Sequence, residues 1–424
     1  YALRDRLRTI DPLLEHVRVE YAVAFPNASE ILGTLPPEID QRQVLTITEL
    51  IDPTDAIESL MAIRWGATAL GAEGVGAVLR VLRPDATLRW ESAARARLAR
   101  ARLDAMSADQ TRALESLDLN RRVVVRGWAG TGKSSLARAW VRRALLRGER
   151  ALLVCFNLPL AQVHRERFAT VDPDRLTVGG YFEAALALDG LPPLEIPDDA
   201  DADWWDTVAI GHLHRHWHLV SERFDTIVID EAQDFSPAWI AQLEQLLRAD
   251  GPRRTMMLVD EGQGLYRRGF VLPSPDDGWT HCELVNNCRN TFQIATLLRR
   301  RFGGAHAPVG GPETEDVRWT EVPSGDIDAA CQATIGAIDL IVEERDADPA
   351  RLLVATVSSA VRDELRDRHA FVAWEGREPL SILCENVHRV KGLEFDHVVL
   401  VLTDPDVTDE LLYVGVSRAV MSLT

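Results

Sequence analysis

The sequence predicts an α/β protein built on parallel sheets, behind a small α+β segment. Three observations point there. Short apolar runs recur at Arg122–Val125, Ala151–Cys155, Thr226–Ile229, Thr255–Val259, Leu352–Thr356 and His397–Leu402, with helical stretches between them. Strands covered on both faces read this way. The first run leads into a glycine-rich loop and then a helix, and the third ends in two acids.

Each element can be justified in chain order. Residues 1–90 read as a small α+β domain. Val17–Phe25 alternates in part and stops at Pro26, Gln43–Ile47 is a second short strand, and Pro53 to Trp65 is helical. Residues 91–118 are rich in Arg, Ala and Leu and read as helix, with Ser107 as a cap. The strand–turn–helix pattern then divides into one α/β domain over 91–280 and a second over 281–424. Loops at 191–203, 272–278 and 303–312 are linker candidates. The chain begins at Tyr1 rather than Met, so it is expected to be part of something longer.

Composition narrows the function. The net charge of −18 excludes a uniformly basic surface, so any nucleic acid must meet a local basic channel. There is no apolar run of about 18 residues and no N-terminal signal pattern, so a cytoplasmic protein without a membrane span is expected. Cysteines at 155, 282, 288, 331 and 384 are odd in number and form no C-x-x-C. That favours a reducing compartment and disfavours zinc or iron–sulfur motifs.

The strongest motif is Gly127-Trp128-Ala129-Gly130-Thr131-Gly132-Lys133-Ser134, followed by Ser135 at the start of a helix. It fits G-x-x-x-x-G-K-[ST] after a strand, the context of a phosphate-binding loop. Backbone N–H groups of Gly127, Gly130, Thr131 and Gly132 wrap phosphates, and the helix N-terminus adds partial positive charge. Lys133 reaches the outer phosphates and Ser134 serves Mg²⁺. Thr226–Ile229 ends in Asp230-Glu231-Ala232-Gln233-Asp234. Asp230 is placed to hold the metal, and Glu231 to orient an attacking water. ATP and Mg²⁺ are therefore the expected ligands. Of the 47 basic residues only Lys133 and Lys391 are lysines, and both lie inside motifs.

Taken together the motifs resemble superfamily 1 helicases of the UvrD/Rep type. Asp109-Gln110 resembles the adenine-reading Q motif, and Cys155-Phe156-Asn157 a segment that touches single-stranded nucleic acid. Val259-Asp260-Glu261-Gly262-Gln263-Gly264-Leu265-Tyr266-Arg267-Arg268 resembles G-D-x-x-Q-S-I-Y-x-x-R, with Val259 for Gly and Gly264 for Ser. Asn287-Cys288-Arg289-Asn290 resembles N-Y-R-N, His388-Arg389-Val390-Lys391-Gly392-Leu393-Glu394-Phe395 resembles H-x-x-K-G-L-E-F, and Leu412–Ala419 resembles L-Y-V-G-x-[TS]-R-A. The resemblance implies two RecA-like domains around one nucleotide. It implies Gln110 on the base, Gln263 sensing the γ-phosphate, Gly392 and Glu394 beside the nucleotide, and Arg289 and Arg418 as arginine fingers. It further implies Phe156, Asn157, Tyr266 and His388 on nucleic acid, here single-stranded DNA, with RNA left open. About 100 residues separate Arg289 from His388 and must already hold second-domain strands and helices, which leaves little room for the extra subdomain of the UvrD type.

Residues 1–66 resemble the C-terminal part of a nuclease-related domain (NERD), through Val23-Ala24-Phe25-Pro26-Asn27, Val44-Leu45-Thr46 and Glu49-Leu50-Ile51-Asp52-Pro53. That nuclease fold needs a lysine this segment lacks, so a nuclease centre would lie upstream of Tyr1. The implied function is ATP-driven movement on single-stranded DNA, in repair or defence. The rivals are an ATPase gating an upstream nuclease or acting with a partner protein, and a non-translocating ATP switch. The alternating His212, His214, His216 and His218 read as a packed helix rather than a zinc site. The Arg95–Arg102 run reads as a solvated face.

Overall fold

The computed structural model describes residues 1–424 except 1, 11–13, 27, 29, 32, 52, 64–70, 83–97, 104, 107–113, 261, 263–267, 303–310, 315, 346 and 404–406. Two compact units divide at Trp90/Glu91. In the first, β1 (Val23–Phe25) pairs in parallel with β2 (Val44–Thr46). The partial alternation over Val17–Phe25 yields a strand only at its end. Its three strand residues are exposed, so burial does not extend the pairing. The Thr46 N–H and hydroxyl both donate to the Glu49 carboxylate, at 2.8 and 2.6 Å, where the helix Ile47–Ile51 starts. The helix Pro53–Met61 stops short of Trp65. Leu7, Leu14, Val17 and Ala77 form this unit's small core.

The second unit holds two sheets. The first comprises β3 (Arg122–Gly127), β4 (Ala151–Cys155), β5 (Leu176–Gly180), β6 (Thr226–Ile229), β7 (Arg254–Val259) and β8 (Thr280–Leu284). Their order is β5-β4-β6-β7-β3-β8, parallel throughout. Successive residues point to opposite faces of a sheet. Accordingly Val124, Leu152, Val154, Ile227, Ile229 and Met257 pack into one core, and Val123, Val125, Leu153, Val228, Met256 and Leu258 into another. The division expected at 280/281 falls inside β8, because Thr280–Leu284 pairs with β3; the first sheet runs on to Leu284.

The second sheet comprises β9 (Leu352–Thr356), β10 (Phe371–Val372), β11 (Ile382–Asn386), β12 (Phe395–Val401) and β13 (Ala419–Leu423), in the order β10-β11-β9-β12-β13 and again parallel. Both sheets are parallel, as the sequence predicts for two α/β domains. One core is shared between them: Ala129, Cys155, Leu160 and Ala161 pack with Leu353, Val387, Leu393 and Tyr413. The helical stretch 98–103 sets Ala99 and Leu103 against Val420 and Met421, and Arg100 pairs with Asp396 at 2.8 Å. On the helix Ile210–His216, His212 is buried and its Nε2 lies 2.9 Å from the Pro192 carbonyl, a packing contact. Among the described residues no helix is long and apolar enough to cross a membrane.

Candidate nucleotide-binding site

The loop after β3 turns at Gly130 and Gly132, whose φ angles are 83° and 81°. The helix Lys133–Leu146 starts with no side-chain cap, which leaves its first N–H groups for a ligand. A Cβ at Gly130 would stand 2.2 Å from Asn290 Oδ1 and 2.6 Å from Asn287, so only glycine lets these side chains lie against the loop. The Cys288 N–H donates to the Gly130 carbonyl at 2.8 Å, and Asn290 Nδ2 to the Ala419 carbonyl at 2.6 Å. The segment Asn287–Asn290 thereby joins the glycine loop to β13 and its neighbour Arg418.

Gly132, Lys133, Ser134, Glu231, Arg289, Gly392, Glu394 and Arg418 line one cleft. All eight were expected at the site, from motifs spread over nearly the whole second unit. Lys133 is buried, donating to the carbonyls of Gly127 and Trp128 at 2.8 and 3.0 Å and pairing with Asp260 at 2.9 Å. Asp260 ends β7 as Asp230 ends β6. Arg289 Nη1 meets Glu394 at 3.1 Å, while its buried Nε has no partner among the described residues. Desolvation raises the Glu394 carboxyl, but Arg289, Arg138, Arg100 and Arg418 outweigh it and hold the group below its ordinary value. Arg418 is fully buried and donates to the Val414 and Leu393 carbonyls and to Ser417 Oγ. Burial, then the Arg289 charge, lowers it to about 10.

The acid box is fixed from several sides. Asp230 is fully buried; Oδ1 accepts from the Glu231 N–H at 3.0 Å, and Oδ2 lies 3.2 Å from His164 Nε2. Desolvation opposes its charge, yet His164, Ser134 and Arg138 together depress its pKa. Glu231 holds a left-handed φ of 54°, a strain of about 1–3 kcal/mol that functional positions store. Asp234 takes both oxygens to Lys391 Nζ at 2.7 Å. Burial nonetheless pushes its carboxyl up to about 7, against the pull of Lys391. The second lysine thus ties the first sheet's acid box to the loop before β12.

Two of the four expected nucleic-acid residues, Phe156 and Asn157, are engaged within the protein. Phe156 packs on Trp239, with the Arg268 guanidinium 4.6 Å from its ring. Asn157 Nδ2 donates to the Arg389 and Lys391 carbonyls at 3.0 and 2.7 Å. His388 is exposed. Gln110, Gln263 and Tyr266 lie outside the described residues. Sequence reasoning passed over Asp260, His164, Arg138 and Tyr413, whose hydroxyl accepts from the Ala129 N–H at 2.7 Å. A strand-end acid signals Asp260, and Arg138 stands one turn beyond Ser134. Nothing local in the sequence marks His164.

The donor set fits Mg²⁺ and a nucleotide. A hydroxyl and a carboxylate, Ser134 and Asp230, are both at hand, and the hydroxyl favours the charged form of the carboxylate. A glycine loop, an uncapped helix start and the unsatisfied Arg289 Nε supply donors for phosphates.

Residues 381–424 match the UvrD-like helicase C-terminal domain. Solved structures similar to the chain include an arterivirus nonstructural protein 10 helicase in complex with DNA. It is 15% identical with a TM-score of 0.35, over 75% of this chain and 61% of that one. The PRRSV helicase gives 15% and 0.36, over 75% and 53%. A structure of Pif1 helicases on forked double-stranded DNA gives 12% and 0.40, over 74% and 91%. The chain spans less than two thirds of the arterivirus and PRRSV helicases. No curated protein matches the sequence. The family match thus lies in the C-terminal segment. That segment, from β11 to β13, is UvrD-like and carries Lys391, Glu394 and Arg418.

Proposed function

We propose that the chain hydrolyses Mg²⁺-ATP in the cleft between its two sheets and uses the cycle to move on single-stranded DNA. The observation that carries this reading is the composition of the cleft. Lys133, Ser134 and Glu231 come from the first sheet's wall, Gly392, Glu394 and Arg418 from the second, and Arg289 from the segment between. Lys133 leaves Asp260 for the outer phosphates, and Glu231 takes the proton of the attacking water. Bound at Ser134 and Asp230, Mg²⁺ would neutralise phosphate charge. Arg289 turns its Nε to the transferring group, and two of the five Arg418 donors remain for it among the described residues.

Movement rests on cross-sheet contacts at the acid box and along the helix Leu158–Arg167. Trp374 Nε1 donates to Gln162 at 2.7 Å, Arg377 pairs with Glu166 at 2.9 Å, and Lys391 holds Asp234. A change at the nucleotide alters this seam, which is where Phe156, Asn157 and His388 lie. The proposed domain division is 1–90, 91–284 and 285–424, with NERD likeness confined to the first. The test is Arg289→Ala. Nucleotide affinity should stay within about threefold while turnover falls about 100-fold or more. Unchanged turnover would overturn a catalytic site that includes the segment between the walls.

A further inference from the structure

His164 belongs to none of the motifs. It sits on the helix Leu158–Arg167, fully buried, with Nε2 3.2 Å from Asp230 Oδ2. An ionised carboxylate has no proton to give, so the proton between them lies on Nε2 and the imidazole donates. Nδ1 is buried with no partner among the described residues. In this tautomer Nδ1 is only a lone pair, which suits a site offering no acceptor for a second N–H. The Glu231 N–H holds the other oxygen, so the carboxylate plane cannot rotate without breaking one of two bonds. The same helix starts after Asn157 and carries Gln162 and Glu166, the residues that bond the second sheet's loops.

We propose that His164 is a positioning residue for the metal-directed carboxylate, holding Asp230 in one orientation and linking it to the helix that docks on the second sheet. The inference rests on the nucleotide reading above. Partners that orient metal-ligating groups typically contribute about 10–100-fold to metal affinity.

The experiment titrates Mg²⁺ against binding of a fluorescent, non-hydrolysable ATP analogue by the full chain. Wild type, His164→Met, His164→Gln and Lys133→Ala are compared. Methionine keeps the bulk and removes the donor; the glutamine amide can replace Nε2–H. The half-saturating Mg²⁺ concentration should rise about tenfold or more in His164→Met and stay within about threefold in His164→Gln. Analogue affinity in EDTA should match wild type in both. A His164→Met titration that overlays wild type, while Lys133→Ala loses the analogue, overturns this proposal alone. Wild-type binding indifferent to Mg²⁺ overturns it together with the nucleotide reading. If the methionine variant does not fold, His164→Asn, whose amide is too short to reach Asp230, takes its place under the same criteria.

Discussion

Gly130→Ala tests how tightly the glycine loop is clamped. The new Cβ would stand 2.2 Å from Asn290 Oδ1 and 2.6 Å from both Asn287 side-chain heteroatoms. Those amides are not loose ends. Asn287 Nδ2 donates to Asn290 Oδ1 at 2.9 Å, and Asn287 Oδ1 accepts from the backbone N–H groups of Arg289 and Asn290. Relief therefore means breaking at least one buried hydrogen bond, at about 1–3 kcal/mol. The φ of 83° adds about 1–2 kcal/mol for any L side chain. The sum is about 2–5 kcal/mol, a large share of ordinary stability. Gly148→Ala separates the two parts, because Gly148 has a φ of 82° and nothing within 4 Å of its Cβ position. Urea unfolding should show Gly148→Ala losing about 1–2 kcal/mol and Gly130→Ala clearly more, with weakened nucleotide binding. Equal losses in the two variants would refute the clamp.

Two further outcomes follow from the same geometry. Asn290→Ala removes the partner of both the Ala419 carbonyl and Asn287 Nδ2, so urea unfolding should report a loss of about 2–4 kcal/mol; a loss below about 0.5 kcal/mol would contradict the link between loop and β13. Asp234 has its folded pKa raised to about 7 from 3.8, so its contribution is fully present below about pH 4 and fades as pH rises through 7. Thermal melts of wild type and Asp234→Asn should therefore shift in the variant's favour between those pH values, and parallel melts would contradict the assignment.

The strands that could be read from sequence are largely buried on both faces. β4, β6 and β9 are buried at every residue, and such runs stand out without context. The second sheet's β10, β11 and β13 were not anticipated, β13 although it is buried at every residue. Nor were the first sheet's β5 and β8. Each lies at an edge of the first sheet, where Thr177 and Val178, or Thr280 to Glu283, remain partly exposed and the apolar run is broken. The phosphate loop was legible because its residues are contiguous. Lys133–Asp260, His164–Asp230 and Ala129–Tyr413 were not, because they join positions 127, 66 and 284 residues apart. Motif likeness brought the two arginines to one cleft. It did not foresee that Asn157 would hold the second sheet's loop.

Steady-state ATP hydrolysis with and without single-stranded DNA, beside Lys133→Ala, tests the central claim most directly. The account predicts strong stimulation by DNA in the wild type and loss of turnover in the variant, whose cleft lacks the one ammonium placed among Gly127, Trp128 and Asp260. Hydrolysis that needs Lys133 but ignores DNA would contradict movement on a strand and leave an ATP switch. Turnover that survives Lys133→Ala would contradict the site itself.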